Sequence, residues 1–279
     1  MPSQSFPRLA IVPLEDVLVH EWYDERRALP LLERIRSSGV FRNPPIVTPV
    51  PDKSGSFVVL DGANRTAALR KMGCPHILVQ IVESDDPGLR LRTWNHVLLN
   101  LEPARLLAEL RELPGLDLVS STEAHILLPY QREIGIALIQ TAEKKVYAVG
   151  APANVLVERI AVLNAVVGAY QERAIVDRTS FSDIDELVSI YPKMCALVIF
   201  PKFNIEDLVV LASDGCLLPA GITRTTISPR ALYVNLPLDE LTGEHSLVEK
   251  NARLENLICT RMALGQIAYT AEAAFMFDE

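Results

Sequence analysis

The residues best suited to chemistry in this sequence stand at one turn, Leu60-Asp61-Gly62-Ala63-Asn64-Arg65, between the apolar run Val58-Val59-Leu60 and a helical pattern from Ala63 to Met72. The first backbone N–H groups of a helix lack partners within it, so such a strand-to-helix junction is ready to hold an anion, nucleotide phosphate above all. Gly62 lets the backbone take a conformation closed to other residues, or approach a ligand closely. Arg65 is the informative residue, because a cation in the first helical turn opposes the helix dipole at a cost of roughly 0.3–1 kcal/mol. A bound anion would offset that cost, and so would a carboxylate such as Glu21 or Asp61. In a protein without that chemistry, Arg65 would make an intramolecular ion pair and Asp61 would only shape the turn.

These residues must be held by the elements around them. Alternation and helical spacing predict strands at Leu9 to Val12, Ile46 to Val50, Phe57 to Leu60 and Ile77 to Val82, with helices at Glu25 to Ser38 and Ala63 to Met72. Gly39 and Gly73 stop the two helices. The polar stretch Glu83-Ser84-Asp85-Asp86-Pro87-Gly88 carries both breakers and places a domain boundary there, giving a first domain of residues 1–86 and a second of 87–279. Beyond it, Leu91 to Leu99 reads as a strand and Pro103 to Glu112 as a helix. Ile134 to Ile139 and Val146 to Val149 read as a hairpin around Ala142-Glu143-Lys144-Lys145. Val155 to Tyr170 has one apolar helical face, Phe181 to Glu186 opens a helix, and Ala196 to Phe200 is strand-like. Ile205 to Ala212 is a helix, Leu232 to Leu236 a strand, and Leu247 to Ala263 a closing helix. The expected architecture is a mixed α/β chain whose second lobe is an ordinary α/β or α+β arrangement.

Composition excludes several functions. The formal net charge of −8 runs against a protein that coats duplex DNA, since phosphate binding draws on an excess of Lys and Arg. No run of about 18 uncharged apolar residues appears, and Met1 to Leu9 lacks the apolar stretch of a secretory signal, so a soluble cytoplasmic protein is expected. Cys74, Cys195, Cys216 and Cys259 lie far apart and form no C-x-x-C pair, which speaks for buried free thiols over a zinc knuckle or disulfide framework. His20, His76, His96, His125 and His245 show no ligand spacing.

The turn and its helix, Leu60-Asp61-Gly62-Ala63-Asn64-Arg65-Thr66-Ala67-Ala68-Leu69, resemble the D-G-H-H-R-x-x-A-L box of the ParB/sulfiredoxin fold. Within that superfamily, sulfiredoxins have a catalytic cysteine where this chain has Ala63, and partitioning proteins carry a G-E-R-R-like box and a helix-turn-helix domain that is not found here. Two more segments resemble the free L-serine kinases of the SerK and SbnI type. His20-Glu21-Trp22-Tyr23-Asp24-Glu25-Arg26-Arg27 is similar to their H-E-x-x-D-x-x-R segment, and Leu218-Pro219-Ala220-Gly221-Ile222-Thr223-Arg224 to their F-P-A-G-I-T-R box. Three boxes in family order over some 200 residues are far more specific than one.

The resemblance implies a ParB/sulfiredoxin-like N-terminal domain with a second α/β lobe, and an ATP- or ADP-dependent kinase making O-phospho-L-serine from free L-serine, with Mg²⁺ as companion. Phosphoryl transfer asks a protein chiefly to position two substrates and neutralise charge. Glu21 would take the serine hydroxyl proton, with Asp24 the cap of the following helix. Asp61 would orient the nucleophile or hold Mg²⁺ through water. Gly62, Ala63, Asn64, Arg65 and Thr66 would bind the nucleotide phosphates, and Thr223 and Arg224 an oxyanion of the substrate. The family's two histidines are here Ala63 and Asn64, so the alternative is a ParB-like nucleotide-binding regulator without turnover. Trp94 and His96 read as a core aromatic and a satisfied polar tip.

Overall fold

The computed structural model describes residues 6–269 apart from 52, 54, 122–134 and 152–154. Its first part runs Leu9–Pro13 (β1), Val17–Val19 (β2), Glu25–Ser38 (α1), Val40–Phe41 (β3), Ile46–Pro49 (β4), Phe57–Asp61 (β5), Ala63–Lys71 (α2) and His76–Ile81 (β6). Five of these strands form a mixed sheet in the order β1-β6-β4-β5-β2. The β1–β6 and β4–β5 pairs are antiparallel, while β4–β6 and β2–β5 are parallel.

Both helices end as their residues dictate. The Asp24 carboxylate accepts from the Arg26 N–H to open α1, and Gly39 closes it in the left-handed conformation at φ 64°. The expected helices and strands of this region are all present, to within a residue or two at their ends.

Next come Arg90–Thr93 (β7), Asn95–Leu99 (β8), Pro103–Arg111 (α3), Asp117–Ser121 (β9), Gly135–Thr141 (β10), Val146–Gly150 (β11), Leu156–Gln171 (α4), Ile175–Thr179 (β12), Ile184–Ile190 (α5), Met194–Ile199 (β13) and Ile205–Ser213 (α6). A six-stranded antiparallel sheet has the order β12-β8-β13-β10-β11-β9. The hairpin β10–β11 turns at the expected residues, and Ile134, the expected start of its first strand, lies outside the described residues. The helix expected to open at Phe181 begins at Ile184, capped by Asp183.

Two expected strands differ. Leu91 to Leu99 is not one strand: β7 and β8 join different sheets, with Trp94 between them giving its N–H to the Ile222 carbonyl at 2.8 Å. Leu232 to Leu236 is largely irregular, because Tyr233 and Asn235 take positive φ of 54° and 48°, which breaks strand geometry. The Tyr233 N–H goes instead to the Asn43 carboxamide oxygen at 2.8 Å.

The chain closes with Thr223–Thr226 (β14), Leu236–Pro237 (β15), Asp239–Thr242 (α7) and Leu247–Ala263 (α8). β14 pairs with β7, and β15 with β3. α8 returns to the first sheet, where Leu254 joins the core with Ile11, Leu78 and Leu241, and Asn251 exchanges two hydrogen bonds with the backbone of Ile11. The core around the first sheet therefore draws on residues from both sides of position 86. A second, larger core lies between the six-stranded sheet and α3, α4 and α6. Cys74 and Cys195 are buried as expected, whereas Cys216 is half-buried and Cys259 is exposed on α8. Among the described residues no helix is long and apolar enough to cross a membrane.

Candidate active site

The first and third boxes are sewn together by backbone. The Leu218 N–H reaches the His20 carbonyl and the Trp22 N–H reaches the Leu218 carbonyl, both at 2.8 Å, across the parallel bridge Glu21–Leu218. This brings residues about 200 apart in sequence into side-chain contact. Glu21 Oε2 accepts the Gly221 N–H at 3.1 Å and lies 3.1 Å from the Thr223 hydroxyl. Its other oxygen has no hydrogen bond among the described residues. Burial pushes the Glu21 carboxyl up to about 7, helped by the charge of Asp61 and opposed by the Gly221 N–H and Arg178.

His20, beside it, is buried. Its Nδ1 lies 2.6 Å from the Val59 carbonyl and its Nε2 2.8 Å from the Thr223 hydroxyl. Burial lowers its pKa to about 4, so the ring is neutral at ordinary pH. Glu21 also lines a cavity of about 260 Å³ with Val19, Tyr23, Ala63, Ala67, Arg70 and Lys71.

The turn from Asp61 to Arg65 lies alongside. Gly62 takes φ 111° and opens α2 with no side-chain cap and no acid in the first turn. The helix therefore presents bare N–H groups and positive potential, as an anion site requires. A Cβ on Gly62 would come within 2.9 Å of Pro45 and 3.0 Å of the Arg65 guanidinium, so the turn admits only glycine.

The side chains of this box divide. Arg65 pairs with Asp61 at 2.6 Å and also donates to the Asn43 and Pro44 carbonyls. The Asn64 carboxamide oxygen accepts the Asp24 N–H at 2.9 Å, tying the start of α2 to the start of α1. Ala63 is buried and forms part of the cavity wall. Thr66 is fully buried and its hydroxyl donates back to the Gly62 carbonyl at 3.1 Å, leaving it to the core.

Thr223 reaches Glu21, but Arg224 does not join it. Neighbouring strand residues point to opposite faces, and the Arg224 guanidinium stacks 4.3 Å above the Trp94 ring. Three residues to which the sequence assigned no role complete the site. His20 opens the H-E-x-x-D-x-x-R-like segment, and that was the available signal. Arg178, from β12, lies against Gly221 and donates to the Ala220 carbonyl at 3.3 Å; a Cβ on Gly221 would fall 2.0 Å from its guanidinium carbon. Arg230 shares Asp61 with Arg65, at 3.2 Å, and donates to the Pro44 carbonyl at 2.8 Å. Burial and the neighbouring Arg65 pull the Arg230 pKa down to about 10. Nothing in their local sequence marks either arginine.

No family model matches the chain. Over 241 residues it is 26% identical to the ATP-dependent L-serine kinase SbnI of Staphylococcus aureus, covering 82% of each chain. Its sequence is thus similar to that of an ATP-dependent L-serine kinase. An ATP-dependent L-serine kinase of Staphylothermus marinus is 36% identical over 86 residues, which is 30% of this chain and 33% of that one. Among solved structures, C-terminally truncated SbnI superimposes with a TM-score of 0.70 at 21% identity, covering 91% of this chain and 97% of that one. A free serine kinase in complex with AMP gives a TM-score of 0.68 at 17% identity, with 86% and 98% covered. The chain thus shares the fold of these kinase structures, and its mixed α/β class is the expected one.

Proposed function

We propose that this chain is a nucleotide-dependent kinase that phosphorylates the hydroxyl of free L-serine to give O-phospho-L-serine. The observation that carries this reading is Glu21: a carboxylate fixed through one oxygen, open at the other, titrating near neutrality, and facing a cavity beside an uncapped helix N-terminus. A general base works best when its pKa lies near the working pH. Relatives covering most or part of the chain are named as ATP-dependent L-serine kinases, which supports serine as acceptor and ATP as donor.

In the reaction, Oε1 of Glu21 takes the acceptor's hydroxyl proton as the acceptor's hydroxyl oxygen attacks the terminal phosphorus. The bond from phosphorus to the bridging oxygen breaks and the shortened nucleotide leaves. The backbone N–H groups at the start of α2 bind phosphate oxygens, and Arg178 supplies a cation on the Glu21 side. Arg65 and Arg230 hold Asp61 at the turn and give the region a net positive charge. Among the described residues no trio of His, Cys, Asp or Glu converges, and the Asp61 charge is already shared by two guanidiniums. Mg²⁺ would come with the nucleotide and would neutralise phosphate charge, calling on few protein carboxylates.

The test is direct. Purified protein with L-serine, Mg²⁺ and ATP or ADP is expected to give O-phosphoserine with ATP, and Glu21→Ala none. No product with either donor would sink the kinase reading. Nucleotide binding without product would support the second reading, a binding-only regulator, which is favoured by the bonds that already occupy Asn64 and Arg65.

A further inference from the structure

We propose that His20, acting through Thr223, is a positioning residue that keeps Glu21 a strong base by claiming the hydroxyl proton that would otherwise quiet it. The argument is one of counting donors. The Val59 carbonyl can only accept, so the His20 nitrogen 2.6 Å away, Nδ1, carries the proton. In a neutral ring Nε2 is then an acceptor. Thr223 has one hydroxyl proton and stands between two acceptors, Nε2 at 2.8 Å and Glu21 Oε2 at 3.1 Å. It can satisfy one of them. The nitrogen is nearer, has no other donor among the described residues, and is buried. An acceptor left there without a donor would be costly.

With the proton given to His20, Thr223 turns a lone pair toward Glu21. That contact repels a carboxylate, and the repulsion falls once the carboxyl is protonated. If the proton sits on Oε2, the contact becomes a hydrogen bond, and the chain Glu21 to Thr223 to His20 to the Val59 carbonyl is satisfied at every link. The pair therefore favours proton uptake by Glu21, as general-base catalysis of an acceptor hydroxyl needs. Other charged or titratable groups also face Glu21. They are Tyr23 from its own segment, Asp61 from β5, Arg70 and Lys71 from α2, and Arg178 from β12. His96, from β8, lies close to Arg178. None of these groups competes for the Thr223 proton.

The catalytic arm of the test rests on the kinase reading; the spectroscopic arm does not. Infrared difference titration of the unliganded protein should show a protonated-carboxyl band that is lost in Glu21→Gln and bleaches near pH 7. Thr223→Val, which removes the lone pair, should move that midpoint down by about one pH unit; His20→Phe, which frees the Thr223 proton for Glu21, should move it down further; the double variant should match Thr223→Val, and Thr223→Ser should leave the midpoint in place. In kinase assays the acid limb of kcat/KM should move in the same direction. If Thr223 instead gave its proton to Glu21, Thr223→Val would raise the midpoint and His20→Phe would leave it still. An upward or absent shift in Thr223→Val overturns the proposal, whether or not His20→Phe folds.

Discussion

Glu21 holds a charge where the fold would rather have none. Its ordinary pKa of 4.5 is raised to about 7 by burial, so between those values the folded protein binds a proton that the unfolded chain has released. The stability due to this group is complete below pH 4.5 and is lost as pH rises through 7. Glu21→Gln keeps an oxygen for the Gly221 N–H and removes the titration. It is expected to be more stable than the parent by roughly 2–3 kcal/mol at pH 8, a gap that closes by pH 4.5, while losing activity. Urea denaturation at the two pH values measures this, and an equal gap at both would show that burial is not the cause. Gly221 is constrained at the same scale. At φ 72°, with Arg178 against its Cα, it should not tolerate a methyl group. Gly221→Ala is expected to cost about 1–3 kcal/mol and to lower kcat by displacing Arg178 and the N–H that holds Glu21. A thermal melt and a turnover assay would check both effects, and an unchanged melting temperature would remove the steric argument.

At the scale of elements, Asn64 joins two helix starts, because its side chain caps nothing in α2 and holds the Asp24 N–H at the entrance to α1. Asn64→Ala is expected to cost about 1 kcal/mol, comparable to loss of an N-cap, and to raise the KM for nucleotide by loosening the turn. Asn204→Ala, which breaks the capping box of α6 away from the site, should cost as much stability and leave KM alone. If the two variants behave alike in KM, Asn64 has no role in the turn. The helix boundaries were legible because caps are local: Asp24 and Gly39, Asn204 with Asp207, and Ser246 with Glu249 sit in the chain beside what they terminate. The strand-to-helix turn at Gly62 was legible for the same reason. The sequence gives no local sign that Leu218 would pair with Glu21, that β7 and β8 would part company at Trp94, or that Arg178 would lie on Gly221. Those are contacts between distant segments, decided by which surfaces pack. Arg224 shows the limit at one residue: a motif named it, but strand alternation sends it to the Trp94 face.

Across the described residues of the molecule, two buried neutral histidines oppose acid. His20 is lowered to about 4 and His96 to about 3, both by burial; His96 takes the Tyr170 hydroxyl at 2.8 Å on one nitrogen and packs edge-on against Phe200. The unfolded chain protonates both below pH 6.5, while the folded protein refuses those protons until pH 4 or lower. Stability is therefore fullest above 6.5 and falls as pH drops toward these values, by about 3 kcal/mol for His20. Glu21 works in the opposite sense over nearly the same window and offsets His20, leaving His96 as the uncompensated member. The urea midpoint of the parent protein should thus decline between pH 6.5 and 4.5 with a slope near that of one refused proton. His96→Phe, whatever it costs at pH 8 by stranding the Tyr170 hydroxyl, should flatten that slope, while Glu21→Gln should steepen it. The slopes, not the absolute stabilities, carry the test. Parallel curves for the parent and His96→Phe would mean that the ring already exchanges protons with water in the folded state.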